Sequence, residues 1–370
     1  MKNYFILVAA IVIIVFAGAG EYLSNAGYLS IGEGNQSITD MANRNLSVPS
    51  PINHVLSTSP STTIIVYMVA PDKLLAFNYQ TTSEEQSLIP DKYKSLGSVG
   101  GWYGTQTGSY EQFIAMSPDV IFDSFTPSGS GSTDSATVDT INQRQQQFGQ
   151  IPDVAVADTS NISTTNPSIE FIGKLLGSAD KAKKLADFNT NMQNQVTGVV
   201  SNMSESDRVT VYYAHGTSGL ETAASGSVHS QLIDLCGGIN VANISDEGMW
   251  ASVSMEQILQ WNPEVIITSD PTFYANIYSN SSWSGITAVK NKRVYLSPQA
   301  PFKWFDQPVG ANMIIGIPWT AKILYPDQFK SLNLTKETKE FYSEFYHYDL
   351  SDEDVTKILT SSGMNSTMLN

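Results

Sequence analysis

A chain of 370 residues has room for two lobes of ordinary domain size, and 41% hydrophobic residues support a buried core and exclude wholesale disorder. A formal net charge of −15, with no stripe of clustered Lys and Arg, argues against nucleic acid as a partner. Cys236 is the only cysteine, which excludes an intrachain disulfide and any CxxC or Cys/His zinc pattern, and it reads as an inert buried thiol.

In chain order, residues 1–20 read as a targeting element. Lys2 gives the positive flank, Phe5 to Ala17 a nearly unbroken apolar run, and Gly18, Ala19 and Gly20 the small residues after it. This is the pattern of a cleavable signal peptide or a short signal anchor, and no Cys follows it to take a lipid. Eight N-x-S/T sequons, starting at Asn35, Asn45, Asn161, Asn202, Asn243, Asn280, Asn333 and Asn365, fit a glycosylated surface protein. Residues 21–37 are rich in Ser, Gly and Asn and read as a spacer.

A β-like segment follows at Asn45 to Val48, closed by Pro49 and Pro51, and His54 to Thr58 reads as a short buried strand. Ser59-Pro60 is a good N-cap and first-turn pair. The β-branched run Thr62 to Tyr67 has the propensity of a strand. Leu74 to Phe77 reads as the next strand, however, and two parallel strands need a crossover between them, so a helix is expected from about Ser61 to Val69, stopped before Pro71. Pro127 to Thr137 is a Ser/Gly-rich loop, followed by a polar helix at Val138–Phe148 and a strand at Val154–Val156.

Beyond Ser178, apolar residues recur three or four apart at Ala179, Ala182, Leu185, Phe188, Met192, Val196 and Val199. A helix running to Met203 is roughly 38 Å long at 1.5 Å per residue and suits a connector between two lobes. The expected organisation is an N-terminal lobe over 38–177, an interlobe helix over 178–204 and a C-terminal lobe over 205–370. In that last part, Val209–Tyr213, Val265–Thr268 and Arg293–Leu296 read as strands, and Val228–Leu235, Lys336–Tyr346 and Asp352–Leu359 as helices.

One segment is used twice. Residues 109–124 align without gaps on 254–269, with identity at seven of sixteen positions. Each copy reads as a Ser-capped short helix, a Pro-Asp or Pro-Glu turn and a buried strand. The shared pattern S-x-E-Q-x-x-x-x-x-P-[DE]-V-I resembles the twice-used segment of helical-backbone (class III) substrate-binding proteins of ABC importers, the class serving ferric siderophores, haem and vitamin B12. Other stretches agree: Thr39-Asp40-Met41-Ala42-Asn43-Arg44 with Asn43 where Gly is usual, Asp72-Lys73-Leu74-Leu75-Ala76, Ala288 to Tyr295, and Phe341 to Tyr346. The resemblance covers roughly residues 38–360. It implies an α/β fold of two lobes, each with a central parallel sheet, joined by one long rigid interlobe helix, with ligand in the cleft between them.

It also implies an exported, monomeric, non-enzymatic protein that hands an iron-siderophore, haem, corrinoid or related metal chelate to an ABC permease dimer and its ATPase. Glu111 and Glu256, equivalent in the two copies, are expected to dock onto that permease, since one surface glutamate on each lobe pairs with permease arginines in the resembling family. Completion of a helix cap is the plainer role for either.

The cleft of such a fold collects loops at the carboxyl ends of strands. Aromatic residues concentrate in those loops, and the expected ligand-binding set is Trp102, Tyr103, His215, Trp250, Trp304 and Asp306. Trp261 and Trp319, in expected helices, are assigned to the core. His54, His229 and His347 share no spacing, so capture of a free metal ion ranks below capture of a chelate, and no protein-bound metal or cofactor is expected. No G-x-S-x-G elbow, P-loop, GxGxxG or HExxH occurs, which leaves a surface adhesion or structural module as the competing reading.

Overall fold

The computed structural model describes residues 34–104, 106–126, 136–244 and 249–369. The expected leader, most of the spacer and most of the Ser/Gly-rich loop lie outside these residues. Gly34 to Ser37, expected as the end of the spacer, instead begin β1 (Gly34–Thr39), which pairs antiparallel with β2 (Asn45–Ser50). At the turn the Asp40 carboxylate accepts hydrogen bonds from the backbone N–H groups of Ala42 and Arg44, and Asn43 takes the left-handed conformation at φ 60°. That conformation favours Gly but tolerates Asn, which explains the departure from the family pattern at this position.

The first half of the chain builds a parallel sheet in the order β3–β4–β5, from Val55–Ser57, Val120–Phe125 and Asp153–Ala157. Each of these fourteen positions is buried, as near-continuous apolar runs in a covered parallel sheet require. Helix α1 (Pro60–Val69) makes the crossover out of β3, and all ten of its residues are buried. Its β-branched sequence is overruled by the parallel geometry, as expected. Leu74 and Phe77 make only single parallel bridges, to Val55 and Ser98, and form no full strand. Helix α2 (Tyr110–Ala115) precedes β4, helix α3 (Val138–Phe148) precedes β5, and α4 (Asn166–Leu175) follows it.

Helix α5 runs from Ala179 to Val200 and buries Ala182, Leu185, Phe188, Met192 and Val196, five of the seven residues that mark its periodicity. It packs on α4 in the first half of the chain and on two helices of the second half, α6 (Gln231–Leu235) and α8 (Gly316–Leu324). The second half builds its own parallel sheet from β6 (Thr210–Ala214), β8 (Ile239–Asn240), β10 (Val265–Thr268) and β11 (Val294–Leu296), in the order β11–β10–β6–β8. A small antiparallel pair, β7 (Glu221–Thr222) with β9 (Ala251–Ser252), sits beside it. Helix α6 begins three residues later than expected. The C-terminal helix expected over Lys336–Tyr346 is α9 (Leu334–Phe341), which widens into a π-turn over Tyr342–Tyr346 and is followed by α10 (Asp352–Ser361) and a short 3-10 turn at Ser366–Met368.

The two repeat copies fold alike. The second copy supplies helix α7 (Met255–Trp261) and β10 where the first supplies α2 and β4. Ser109 and Ser254 each accept the N–H of the residue three further on. Ser117 (φ 50°) and Asn262 (φ 43°) each leave the helix in the left-handed conformation. After the shared proline, Asp119 binds the N–H groups of Asn53 and His54 ahead of β3, and Glu264 binds that of Thr210 in β6. A one-methylene difference in acid length is absorbed while the role is kept.

Candidate functional site

The carboxyl ends of both sheets feed one cavity of about 270 Å³. From the first half it is lined by Ser59, Pro60 and Ser61 at the start of α1, with Tyr79, Tyr103 and Gly104; from the second half by His229, Met249, Trp250, Gln307, Pro308 and Val309. Both sheets therefore contribute, which places the cavity between the lobes. Among the described residues, none of its lining side chains is Lys, Arg, Asp or Glu.

Its floor is a net of hydroxyls. Ser61 Oγ lies 2.8 Å from Thr159 Oγ1, which is 2.7 Å from Ser124 Oγ; Ser59 Oγ lies 3.0 Å from Ser61 Oγ. These residues follow β3 and β5 or end β4, so one short polar network ties three strand ends to the first turn of α1. Helix N-termini favour negative charge through aligned peptide dipoles, so this wall suits an anionic group.

The opposite wall is aromatic. The Trp250 ring stacks on His215 at 3.7 Å with an interplanar angle of 4°, and the His229 ring lies 5.0 Å from it. His215 donates Nδ1–H to Glu221 at 2.9 Å and accepts the Gln307 amide on Nε2. Both of its nitrogens are thus engaged, and His215 braces the back of Trp250 without lining the cavity. Asp306 is fully buried and also stands behind the wall: it accepts Nδ1–H of His229 at 2.8 Å and the Tyr213 hydroxyl at 3.1 Å. A carboxylate on Nδ1 fixes the tautomer and the ring plane of a histidine.

Of the six residues expected to bind ligand, Tyr103 and Trp250 line the cavity, and His215 and Asp306 support it from behind. Two expectations are corrected. Trp304 is completely buried, with its indole N–H donated to the Tyr342 hydroxyl at 3.2 Å, because the loop around it folds inward against the π-turn. Trp102 is half-buried and packs on Tyr110, Phe113 and Phe148, with the Arg144 guanidinium 5.2 Å over its ring. Arg144 is itself held by both oxygens of buried Asp123. Trp102 therefore belongs to a core under α2 and α3. Trp319 lies in the core as expected, and Trp261 packs half-buried against Tyr212.

Ser59, Ser61, Tyr79, His229 and Gln307 were missed. Ser59 was legible as a cap, and its place after a strand was the available signal for a cleft residue. His229 had none, since its partner Asp306 lies 77 residues away. Glu111 and Glu256 are both exposed, on α2 and α7. A backbone N–H, and after it the Ser109 hydroxyl donated at 2.8 Å, hold the Glu111 carboxyl below its ordinary range.

Similar proteins place this architecture. The molybdate-binding protein MolA of Haemophilus influenzae is 24% identical over 335 residues, covering 86% of this chain and 93% of its own. The vitamin B12-binding protein of Vibrio cholerae is 27% identical over 253 residues, covering 68% of this chain and 82% of its own. The solved ABC transporter solute-binding protein of Sulfurospirillum deleyianum superposes with a TM-score of 0.78 at 28% identity, covering 88% of this chain and 99% of its own. These relatives are binding proteins and not enzymes; such proteins lie outside the cytoplasm and partner an ABC permease with its ATPase. The family profile described as periplasmic binding protein matches residues 55–301, and the chain belongs to that family.

Proposed function

We propose that this protein captures a metal-containing solute in the cavity between its lobes and delivers it to an ABC importer, held at the outer face of the membrane by its N-terminal segment. The observation that carries this reading is the pairing of walls: hydroxyls and a helix N-terminus on one side, Trp250 and an Asp306-oriented His229 on the other, with no charged side chain among the described residues that line the space. Such a surface takes a ligand that brings its own charge and has a polar and a flat or apolar aspect.

Within the class of iron-siderophore, haem, corrinoid and related chelates, the volume favours a compact ligand. Pockets for drug-sized molecules run from about 300 to 1,000 Å³, and this one lies at the lower edge. A corrinoid or haem needs the lobes further apart. The molybdate bound by one relative and the vitamin B12 bound by another bracket the range. Docking is assigned to Glu111 and Glu256, which sit at equivalent places and so suit a two-fold symmetric permease. The exposed or half-buried position of all eight sequon asparagines supports glycosylation as a surface protein.

Thermal unfolding of the purified protein with molybdate, a ferric siderophore, haem or cobalamin tests the ligand class. A metal-containing solute is expected to raise Tm and perturb Trp250 fluorescence, since a ligand bound only by the folded state stabilises by mass action. A shift produced by amino acids or sugars, with none from the metal-containing solutes, overturns the reading.

A further inference from the structure

Five large apolar side chains are conspicuously exposed among the described residues: Ile114 (41%), Met116, Val138, Leu259 (45%) and Tyr278. Two of them, Ile114 and Leu259, occupy the same position in the two repeat copies. Each lies three residues after a glutamate, so Glu111 with Ile114 on α2, and Glu256 with Leu259 on α7, share a helix face. The residues just before them, Phe113 and Ile258, are completely buried and fix the opposite face of each short helix. The molecule thus displays the same acid-plus-apolar pair twice, once from each lobe.

A single exposed Leu needs no explanation. The same exposure at two pseudo-equivalent places, each beside an exposed carboxylate, does. A solute in the cleft has no access to a pattern presented once by each lobe on its own surface helix. A partner with two-fold symmetry does, because it offers one identical receptor to each copy.

We propose that Ile114 and Leu259 are paired apolar anchors, each entering a hollow beside a cationic side chain on one of the two membrane subunits of the importer. The proposal rests on the docking assignment of Glu111 and Glu256 and adds what those carboxylates lack. An ion pair exposed to water contributes little, and an apolar neighbour that excludes water from around it raises its worth. The anchor supplies apolar area and shelters the charge pair.

The test uses the full chain and its host's importer in nanodiscs. Binding is measured for the wild type, I114S/L259S, the two single serine variants, the conservative I114L/L259I and E111Q/E256Q. Expected are a loss of about tenfold or more for I114S/L259S, similar partial losses for each single variant and near-normal binding for I114L/L259I, with Tm unchanged. Normal binding by I114S/L259S while E111Q/E256Q is impaired overturns the anchors and leaves the docking assignment standing. Normal binding by both double variants removes the docking assignment and the anchors with it. A loss confined to one single serine variant overturns the symmetric pair, as does a wild-type dimer that I114S/L259S converts to monomer.

Discussion

At the scale of the residue, the cavity depends on two histidines with different work. His215 is tied at both nitrogens and acts as a plate behind Trp250, whereas His229 reaches the cavity with its ring plane set by buried Asp306. Replacing His229 by Gln keeps a polar side chain but loses that orientation. Calorimetric titration is expected to show ligand affinity falling by roughly 1.5–3 kcal/mol, the worth of a hydrogen bond to a charged group. Trp304→Ala is expected to act differently. Its indole is wholly inside the core, so the variant loses about 3–5 kcal/mol of folding stability by denaturant unfolding. Normal stability with weakened binding in Trp304→Ala returns that residue to the cleft. The aromatic loops were legible in the sequence as a group. Which ring faces the ligand and which faces the core was not, because the two choices have the same composition.

At the scale of the element, the long connector is set by close packing at one end. A Cβ added at Gly173 in α4 falls 2.1 Å from the Cβ of Ala182 in α5, so glycine is what lets these helices touch. Gly173→Val is expected to push α4 off α5 and cost about 1–3 kcal/mol, read as a lowered denaturant midpoint. Gly173→Val with unaltered stability means that the helices separate freely there. Helix α1 shows the reverse relation between sequence and structure. Its Thr and Ile residues favour a strand locally, yet a chain that leaves a parallel strand needs a crossover, most often a helix, and that demand was readable from β3, although Leu74 and Phe77 beyond it make only single bridges. The C-terminal helix was legible in extent, but not in its change to a π-turn, which arises where Tyr342 and Tyr346 pack on Trp304 and Phe302.

At the scale of the whole molecule, the lobes are joined by more than α5. After the π-turn the chain returns to α1: Tyr67 donates its hydroxyl to the Tyr346 carbonyl, and His347 donates Nε2–H to the Tyr67 carbonyl at 2.9 Å. Burial holds the His347 imidazole below its ordinary pKa, with the bond to Tyr67 opposing in part. The folded state therefore prefers the neutral ring, while the unfolded chain takes up a proton at higher pH. Stability from this site is complete above pH about 6.5 and is lost as pH falls below that value toward the folded-state pKa. Acidification through this window is expected to lower Tm less in His347→Gln than in the wild type. Equal slopes discard the role. Since α1 also lines the cavity with Ser59 and Ser61, this second tie limits how far the lobes part around a ligand.

The sequence by itself determined the architecture: periodicity marked the connector, parallel strands forced the crossover, and a repeated segment announced two related lobes. It also determined the acids at the repeat starts, whereas the exposure of the apolar residue three places after each was visible only in the structure. Those features are local, resting on spacings of a few residues along one element. Tertiary structure alone decided the site. Whether Trp304 turns inward, whether His215 braces or binds, and that His229 meets Asp306 across 77 residues are outcomes of how loops from two sheets pack. Contacts between such distant residues leave no spacing in the chain to read.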